Sequence, residues 1–293
     1  MTFSRKKIDL TITLGTGQFG DSGSNTVTLT GLRVHTGIQA FGGDAMPQTQ
    51  LRIFGLPLQM VNQLTGIGPI NSAILGKNSV LVAAGDDETG MQTVFSGSIW
   101  QAWGEFQGMP DTPLNILGGG GIAASLKPVQ ALSYVGPTDV AQIMQTLAQT
   151  MGFAFENNGV SVQLSNPYLP GTALQQVRSL ARAADISFAI DRDTLAIWPK
   201  RSTPNQPAAR GGDVPLISPA TGLVGYPTFA SNGIGLTTLF NPQIKPGGVV
   251  QVESSLPVAC GKWVVRQLQH SLQSETPNGQ WFSQIMGVPL NAQ

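Results

Sequence analysis

Apolar and polar residues alternate along IDLTITL (8–14), which puts Ile8, Leu10, Ile12 and Leu14 on one face. A period of two is the mark of a half-buried strand. The β-branched stretch Thr26 to Thr30 repeats it, with Val27 and Leu29 starting a second face. LRIFGL (51–56) reads as a short strand and PLQMVNQL (57–64) as a short helical turn. Within 78–103, SVLVAA and TVFSGSIW read as a hairpin closed by GDDETG. Short strands separated by turn residues predict a barrel or a sandwich.

The period changes in the middle of the chain. In PTDVAQIMQTLAQTMG (137–152), Val140, Ile143, Met144, Leu147 and Met151 share a helical face. Thr138 or Asp139 can cap the N-terminus, and Gly152 suits the residue after the helix. FAFE-NNG-VSVQL then reads as a hairpin. GTALQQVRSLARAADIS (171–187) repeats the helix, with Ala173, Val177, Leu180, Ala181 and Ala184 on one face, and ISFAID-RD-TLAIW reads as a second hairpin. LAQTMGF (147–153) aligns with LARAADI (180–186), so the two helix–hairpin units look like a duplication. Two copies without a repeat signature are too few for a solenoid.

PKRSTPNQPAARGGD (199–213) is rich in proline and glycine and reads as a linker. Further strands follow in the stretch from Val214 to Phe240, in GGVVQVESS, in GKWVVRQLQHSLQS and in QWFSQIMGV. The last two are joined by ETPNG, whose Asn-Gly pair suits a hairpin turn. The expected fold is mainly β with an α+β insert: a β region over 1–130, a duplicated helix–hairpin subdomain over 131–200, and a second β region over 201–293.

Composition sharpens this picture. Charged residues are only 11% of the chain, with 16 basic against 16 acidic. An average soluble domain carries about 25%. Low charge predicts a surface largely covered by other chains, because charge keeps monomers soluble and apart. A neutral chain carries no nucleic-acid footprint. RKK (5–7) is expected as a solvated arm, and the sequence around it has no signal-peptide core. No apolar run is long enough to predict a membrane span. A single cysteine, Cys260, rules out an internal disulfide and fits a reducing cytosol.

The candidate chemistry is thin. LGTGQFG (14–20) is a G-x-G-x-x-G directly after a strand, but such a loop binds a dinucleotide only when it opens a helix. Asp21, Ser22, Gly23, Ser24 and Asn25 follow, then a β-branched run, so the motif predicts a hairpin loop. His35 and His270 are isolated, and with one cysteine no usual zinc spacing exists. His270 is expected on a polar strand face. Asp86, Asp87 and Glu88 form the densest acidic group and are expected as a solvated hairpin tip rather than a cation site. Ser179 and Ser254 lack a nucleophile elbow. GGGG (118–121) has no following Lys-Ser or Lys-Thr and is expected as a flexible bend. Trp100, Trp103, Trp263 and Trp281 fall at strand positions, where packing is the commoner role than sugar stacking. No catalytic, cofactor or metal residue is assigned.

The order of segments resembles the baseplate hub proteins of contractile phage tails, a family related to late control protein D and to the hubs of tailocins and type VI secretion systems. LRIFGLPLQMVNQLT and NSVLVAAGDDETGMQTVFSGSIWQAW resemble the family's first barrel. GPTDVAQIMQTLAQTMGFAF and TALQQVRSLARAADISFAIDRDTLAIWPK resemble its helix–hairpin pair. The stretch from Pro215 to Ser254, with GKWVVRQLQHSLQSETPNGQWFSQIMGV, resembles its second barrel.

The resemblance implies two tube-like β-barrels flanking the duplicated subdomain and a homotrimeric ring that adapts a sixfold tail tube to a threefold spike and passes DNA. Its implied partners are tail-tube or tube-initiator proteins, a central spike protein and wedge or sheath-side baseplate proteins. No specific nucleic acid and no membrane insertion are implied. Its implied location is the virion tail baseplate, assembled in the bacterial host cytoplasm. Two other classes stay open at this point. One is a carbohydrate-binding β-sandwich adhesin using the tryptophans. The other is a peptidoglycan hydrolase using Asp86, Asp87 or Glu105.

Overall fold

The computed structural model describes residues 4–20, 23–66, 78–122, 124, 128–203 and 207–290. The chain is mainly β and forms two compact units. One comprises residues 1–39, 47–120 and 269–282; the other comprises 40–46, 121–268 and 283–293.

The first unit is built on antiparallel pairing. Its strands are β1 (Lys7–Thr13), β2 (Thr26–Leu29), β3 (Val34–Phe41), β4 (Gln48–Ile53), β5 (Ser79–Asp86), β6 (Gly90–Gly104) and β7 (Leu114–Gly119). They lie in the order β2-β1-β5-β6-β7-β4-β3. Helix α1 (Leu58–Leu64) supplies Val61 and Leu64 to the buried side. The alternation seen in β1 holds: Ile8, Leu10 and Ile12 are all buried, as are Val80, Val82 and Ala84 on the paired β5. Among the described residues this path is open, and no pairing closes it into a ring.

Local chemistry explains the turns. β1 and β2 pair from Leu10↔Leu29 to Thr13↔Thr26, so LGTGQFG is part of the loop between two strands. Leu14 N donates to Asn25 O and Phe19 N to Ser24 O, while Gly17 sits at φ +89°. Gly20 begins a 3-10 turn, Asp21 and Ser22 lie outside the described residues, and no α-helix occurs between β1 and β2 among the described ones. The GDDETG turn ends at Gly90, whose φ of +77° only glycine adopts without strain. ETPNG does not turn on Asn-Gly. Gly279 N donates to Thr276 O, so Pro277 and Asn278 are the central residues, with Asn278 at φ +54°. Proline presets the first central position and asparagine tolerates the left-handed second one.

GGGG is no flexible bend. Gly118 and Gly119 are the last residues of β7, and Gly119 pairs with Ser98. The register of β6 slips by one residue at Trp100, a β-bulge, and the indole of Trp100 lies over Gly119. A side chain at Gly119 would occupy the space of that ring, so close backbone approach is what the glycine provides.

The second unit holds both helices of the insert. Helix α2 (Val140–Met151) is capped by Asp139, whose Oδ1 accepts from Ala141 N at 2.9 Å, and ends at Gly152 in the left-handed region. Helix α3 (Ala173–Ala183) opens with a capping box between Thr172 and Gln175. They pack on a three-stranded sheet of β10 (Ala154–Asn157), β13 (Ile186–Asp191) and β14 (Thr194–Pro199). Ile143, Met144, Leu147, Val177, Leu180, Phe188, Leu195 and Ile197 are in the shared core. Burying each such side chain contributes roughly 1.5–3 kcal/mol.

One of the two expected hairpins exists. β13 and β14 pair from Ile186↔Pro199 to Asp191↔Thr194, with Arg192 and Asp193 both at positive φ in the two-residue turn. The other is corrected. β10 pairs β14 in parallel, whereas β11 (Gln163–Ser165) leaves to pair β9 (Pro137–Asp139). Asn157 accounts for the departure: its side chain accepts from Val160 N and donates to Val160 O, a side-chain-closed loop that bends the chain away. β8 (Leu132–Ser133) and β12 (Tyr168–Leu169) form another two-stranded ladder.

The remaining strands are β15 (Leu216–Ile217), β16 (Thr228–Ala230), β17 (Gly233–Leu239), β18 (Val249–Val252), β19 (Gly261–Ser274) and β20 (Trp281–Pro289). Their order is β16-β17-β20-β19-β18-β15, around a core of Ile234, Leu236, Val250, Val265, Leu268 and Ile285. This path is open as well among the described residues, with β16 at its edge.

Candidate interaction surfaces and the buried ion network

Within the first unit, the basic cluster is not a solvated arm. Arg5 Nε donates to Glu275 Oε1 at 2.7 Å, Lys6 Nζ to Asp86 Oδ2 at 2.6 Å and Lys7 Nζ to Asp87 Oδ1 at 2.5 Å. Asp86 is not at a solvated tip either. It is buried, its Oδ1 accepts from Glu88 N, Thr89 N and Thr89 Oγ1, and its Oδ2 also accepts from Ser4 Oγ. The Lys6 ammonium and these donors hold the Asp86 carboxyl far below its ordinary range.

A shallow polar groove of about 260 Å³ lies in the same unit, lined by His35, Gln50, Arg52, Ser271, Gln273 and Gln280 among others. His35 Nε2 pairs with Thr276 Oγ1 at 3.1 Å, and its ring packs against Phe54 at 5.2 Å. Arg33 stacks over the same Phe54 ring at 3.9 Å and bonds Asp111 at 2.8 Å. Burial, then the charges of Arg33 and Arg52, lower the His35 pKa. Glu105 accepts from Arg52 Nη2 and from Asn115 Nδ2, each at 3.2 Å.

The second unit contains a buried network. Arg210 is enclosed, and its Nε and Nη2 grip Glu156 Oε1 and Oε2 at 3.0 and 2.7 Å. Its Nη1 reaches Asp191 Oδ2 at 3.3 Å, and Arg192 Nε reaches Asp191 Oδ1. Arg192 also donates to Pro242 O and Ile244 O. Burial alone would raise the Glu156 carboxyl, but the Arg210 fork outweighs it and the pKa is lowered. Arg210 is likewise disfavoured by burial and then raised by Glu156 and Asp191. Each charge is compensated, which is the condition for burying an ion at all. The chemistry of the set is structural: it ties β10, β13 and the segments around residues 210 and 242–244 together.

The same unit exposes an apolar strand edge. No charged residue lies between Asp213 and Lys245. β17 carries along its outer side the segment 222–230: Leu239 N donates to Gly222 O, Val224 N to Thr237 O, and β16 pairs Thr228↔Gly235 and Phe229↔Ile234. All three residues of β16 are exposed. Val224, Tyr226 (71% accessible), Phe229 (56%) and Leu239 stand out from this edge, with Met286 of β20 beside Gly235.

The other candidates are dispersed. His270 is buried, because it shares strand parity with Leu268 and Leu272; counting every second residue from either leucine finds it. Ser179 is on the outer face of α3, and Ser254 Oγ accepts from Leu256 N. Cys260 is exposed, with its Sγ against Ser254 O. The four tryptophans are half-buried. Trp100 covers Gly119, and Trp263 bonds Ala259 O while packing on the core of its own unit, so these two have packing roles. Asp86, Asp87 and Glu105 are each held by a cation rather than paired with one another. No cluster of three His, Cys, Asp or Glu occurs among the described residues. No helix among them is long and apolar enough to cross a membrane.

Comparison with known proteins reads this geometry further. Residues 8–283 match the model of the family described as baseplate hub gp41. No curated protein matches by sequence. Among solved structures, the 43 kDa tail protein of prophage MuSo2 from Shewanella oneidensis superposes with a TM-score of 0.64 at 13% identity, covering 98% of each chain. A tail protein from Neisseria meningitidis MC58 gives 0.62 at 11%, covering 96% of each. The E. coli c3393 protein is described as a type VI secretion component resembling the T4 tail proteins gp27 and gp5. It gives 0.57 at 10% identity, covering 88% of this chain and 74% of its own. At these identities the likeness is one of fold.

Proposed function

The chain belongs to the baseplate hub gp41 family, and from that premise we propose that it is the hub of a contractile phage tail, a homotrimeric ring adapting a sixfold tube to a threefold spike. Family membership makes it a structural baseplate protein of the virion tail, not an enzyme. The observation that carries the ring is the bare, uncharged strand edge on a chain with only 11% charged residues. Exposed apolar residues beside that edge, Tyr226 and Phe229 foremost, suit a surface that another chain covers.

On this reading the β regions, 1–130 and 201–293, are walls of two tube-like barrels, and the helix-bearing part 131–200 lies between them in sequence. Three chains then supply six barrels. Closed cyclic symmetry ends the association, whereas an unclosed head-to-tail contact would grow a filament. A neutral chain suits a lumen that passes DNA without trapping phosphate. Tail-tube or tube-initiator proteins, a central spike and wedge or sheath-side proteins are the partners of such a ring. The tail and secretion proteins that share the fold support tail and spike partners.

Light scattering on the purified chain, alone and with its tail-tube protein, tests this. The expected mass of the assembled chain is three times the 30.8 kDa protomer. A monomer in both conditions, or a dimer, overturns it.

A further inference from the structure

The strand path of the first unit runs from β2 and β1 to β3 and continues into β19 and β20, whose residues 269–282 belong to the same unit. Its two ends are far apart along this path, yet they meet. Arg5, just before β1, donates from Nε to Glu275 Oε1 at 2.7 Å, and Glu275 directly follows β19. The Glu275 pKa is lowered by the Arg5 bond first and also by the charge of Lys7, which opens β1. Burial agrees with this closeness. β2 flanks β1 only from Leu10 to Thr13, so Lys7–Asp9 have a ladder partner on the β5 side alone. A flat sheet would leave the inward side of such an end to water. Ile8 is nevertheless enclosed, as are Leu272 and Ser274 of β19 near the opposite end. Enclosure at both ends fits a sheet that curls on itself as a barrel does.

We propose that the first unit is a barrel whose last seam is an ionic clasp instead of a strand ladder, with Ser4–Lys7 as the strap of that clasp. Ser4 and Lys6 anchor the strap on Asp86 and Lys7 anchors it on Asp87, at the β5–β6 turn. Arg5, between them, reaches the β19–β20 turn. Neighbouring strands along the path are joined by backbone hydrogen bonds, whereas among the described residues no strand pairing crosses the seam. The two holds of the strap differ in strength. Asp86 is buried and also bonded to Glu88 N, Thr89 N and Thr89 Oγ1. The Arg5–Glu275 pair is open to water, with side chains 64% and 27% exposed. Such a pair is weak and is screened by salt. The strap therefore stays on the β5–β6 turn while it lets go of the β19–β20 turn. The barrel opens there first, at the cost of one exposed ion pair rather than a row of backbone hydrogen bonds. The clasp lies within one chain and does not depend on the ring reading.

Amide hydrogen exchange on the full chain tests it. Glu275→Gln keeps the size of the side chain and removes its charge. It is expected to speed exchange about two- to fivefold in segments 5–10 and 273–280, the effect of losing an exposed ion pair. The β6–β7 ladder should keep its wild-type rate. Salt at ~1 M should give the wild type the same increase and leave Glu275→Gln unmoved. In a Cys260→Ser background, Arg5→Cys and Glu275→Cys are expected to be joined within one chain by a short bis-maleimide, and the salt response should then vanish. Exchange in both segments that ignores salt and Glu275→Gln overturns the clasp. Acceleration that reaches the β6–β7 ladder equally overturns it, since that is general destabilisation. A cross-link that forms only between copies overturns it too. Light scattering on the same samples keeps the two readings apart: a trimer without the seam response leaves the ring standing and the clasp refuted.

Discussion

The guanidinium of Arg210 holds both carboxylate oxygens of Glu156, at 3.0 and 2.7 Å, across 54 residues of sequence. Asp191 closes the other side of the arginine at 3.3 Å. Glu156 takes its fork from this cation alone, whereas Asp191 is also held by Arg192. Arg210→Ala leaves Glu156 without its guanidinium partner and is expected to destabilise the chain by about 3–5 kcal/mol. Replacing all three charges by apolar residues of like volume should recover most of that loss. Urea unfolding of the single and triple variants checks it. Equal stability of Arg210→Ala and wild type would show the network idle.

Leu147 and Leu180 hold corresponding places in the two insert helices and meet in one core. Both are fully enclosed. Leu147→Ala and Leu180→Ala are each expected to cost about 2–5 kcal/mol. Because the two sites share a core, the double variant should depart from the sum of the single costs. Thermal melts of the three variants measure this, and two unshifted transitions would refute it.

Acid should weaken the first unit in two windows. His35 has its folded pKa lowered, so the unfolded chain takes up the proton more readily. Its share of stability is therefore lost as pH falls from its ordinary value near 6.5. Asp86 is lowered much further, by Lys6 and the Thr89 bonds. Its contribution is complete above the ordinary aspartate value of about 3.9 and drains away at lower pH. Asp86→Asn should flatten the acid limb of stability below pH ~4, and His35→Gln the limb near pH ~6. Melting temperature against pH for each variant reads the two effects separately.

The sequence by itself determined the elements whose signals are local. The period-two face of Ile8, Leu10 and Ile12, an N-cap at Thr138 or Asp139 (the structure uses Asp139), the helix end at Gly152, and the helical faces of Leu147 and Leu180 depend on neighbours a few residues away. The family order of segments was legible for the same reason, as was the return of the chain from LGTGQFG into a second strand. Tertiary structure alone decided the pairings. β10 lies beside β14 rather than β11 because Asn157 bends the chain, and strand partners are chosen by contacts that no local period encodes. Gly119 looked like a hinge until Trp100 lay over it. Arg5, Lys6 and Lys7 looked solvated because their acids, Glu275, Asp86 and Asp87, stand far along the chain. A charge is read as free or paired only when the fold brings its partner within hydrogen-bond reach. That is also why Glu156, Asp191 and Arg210 gave no sign of forming one buried network.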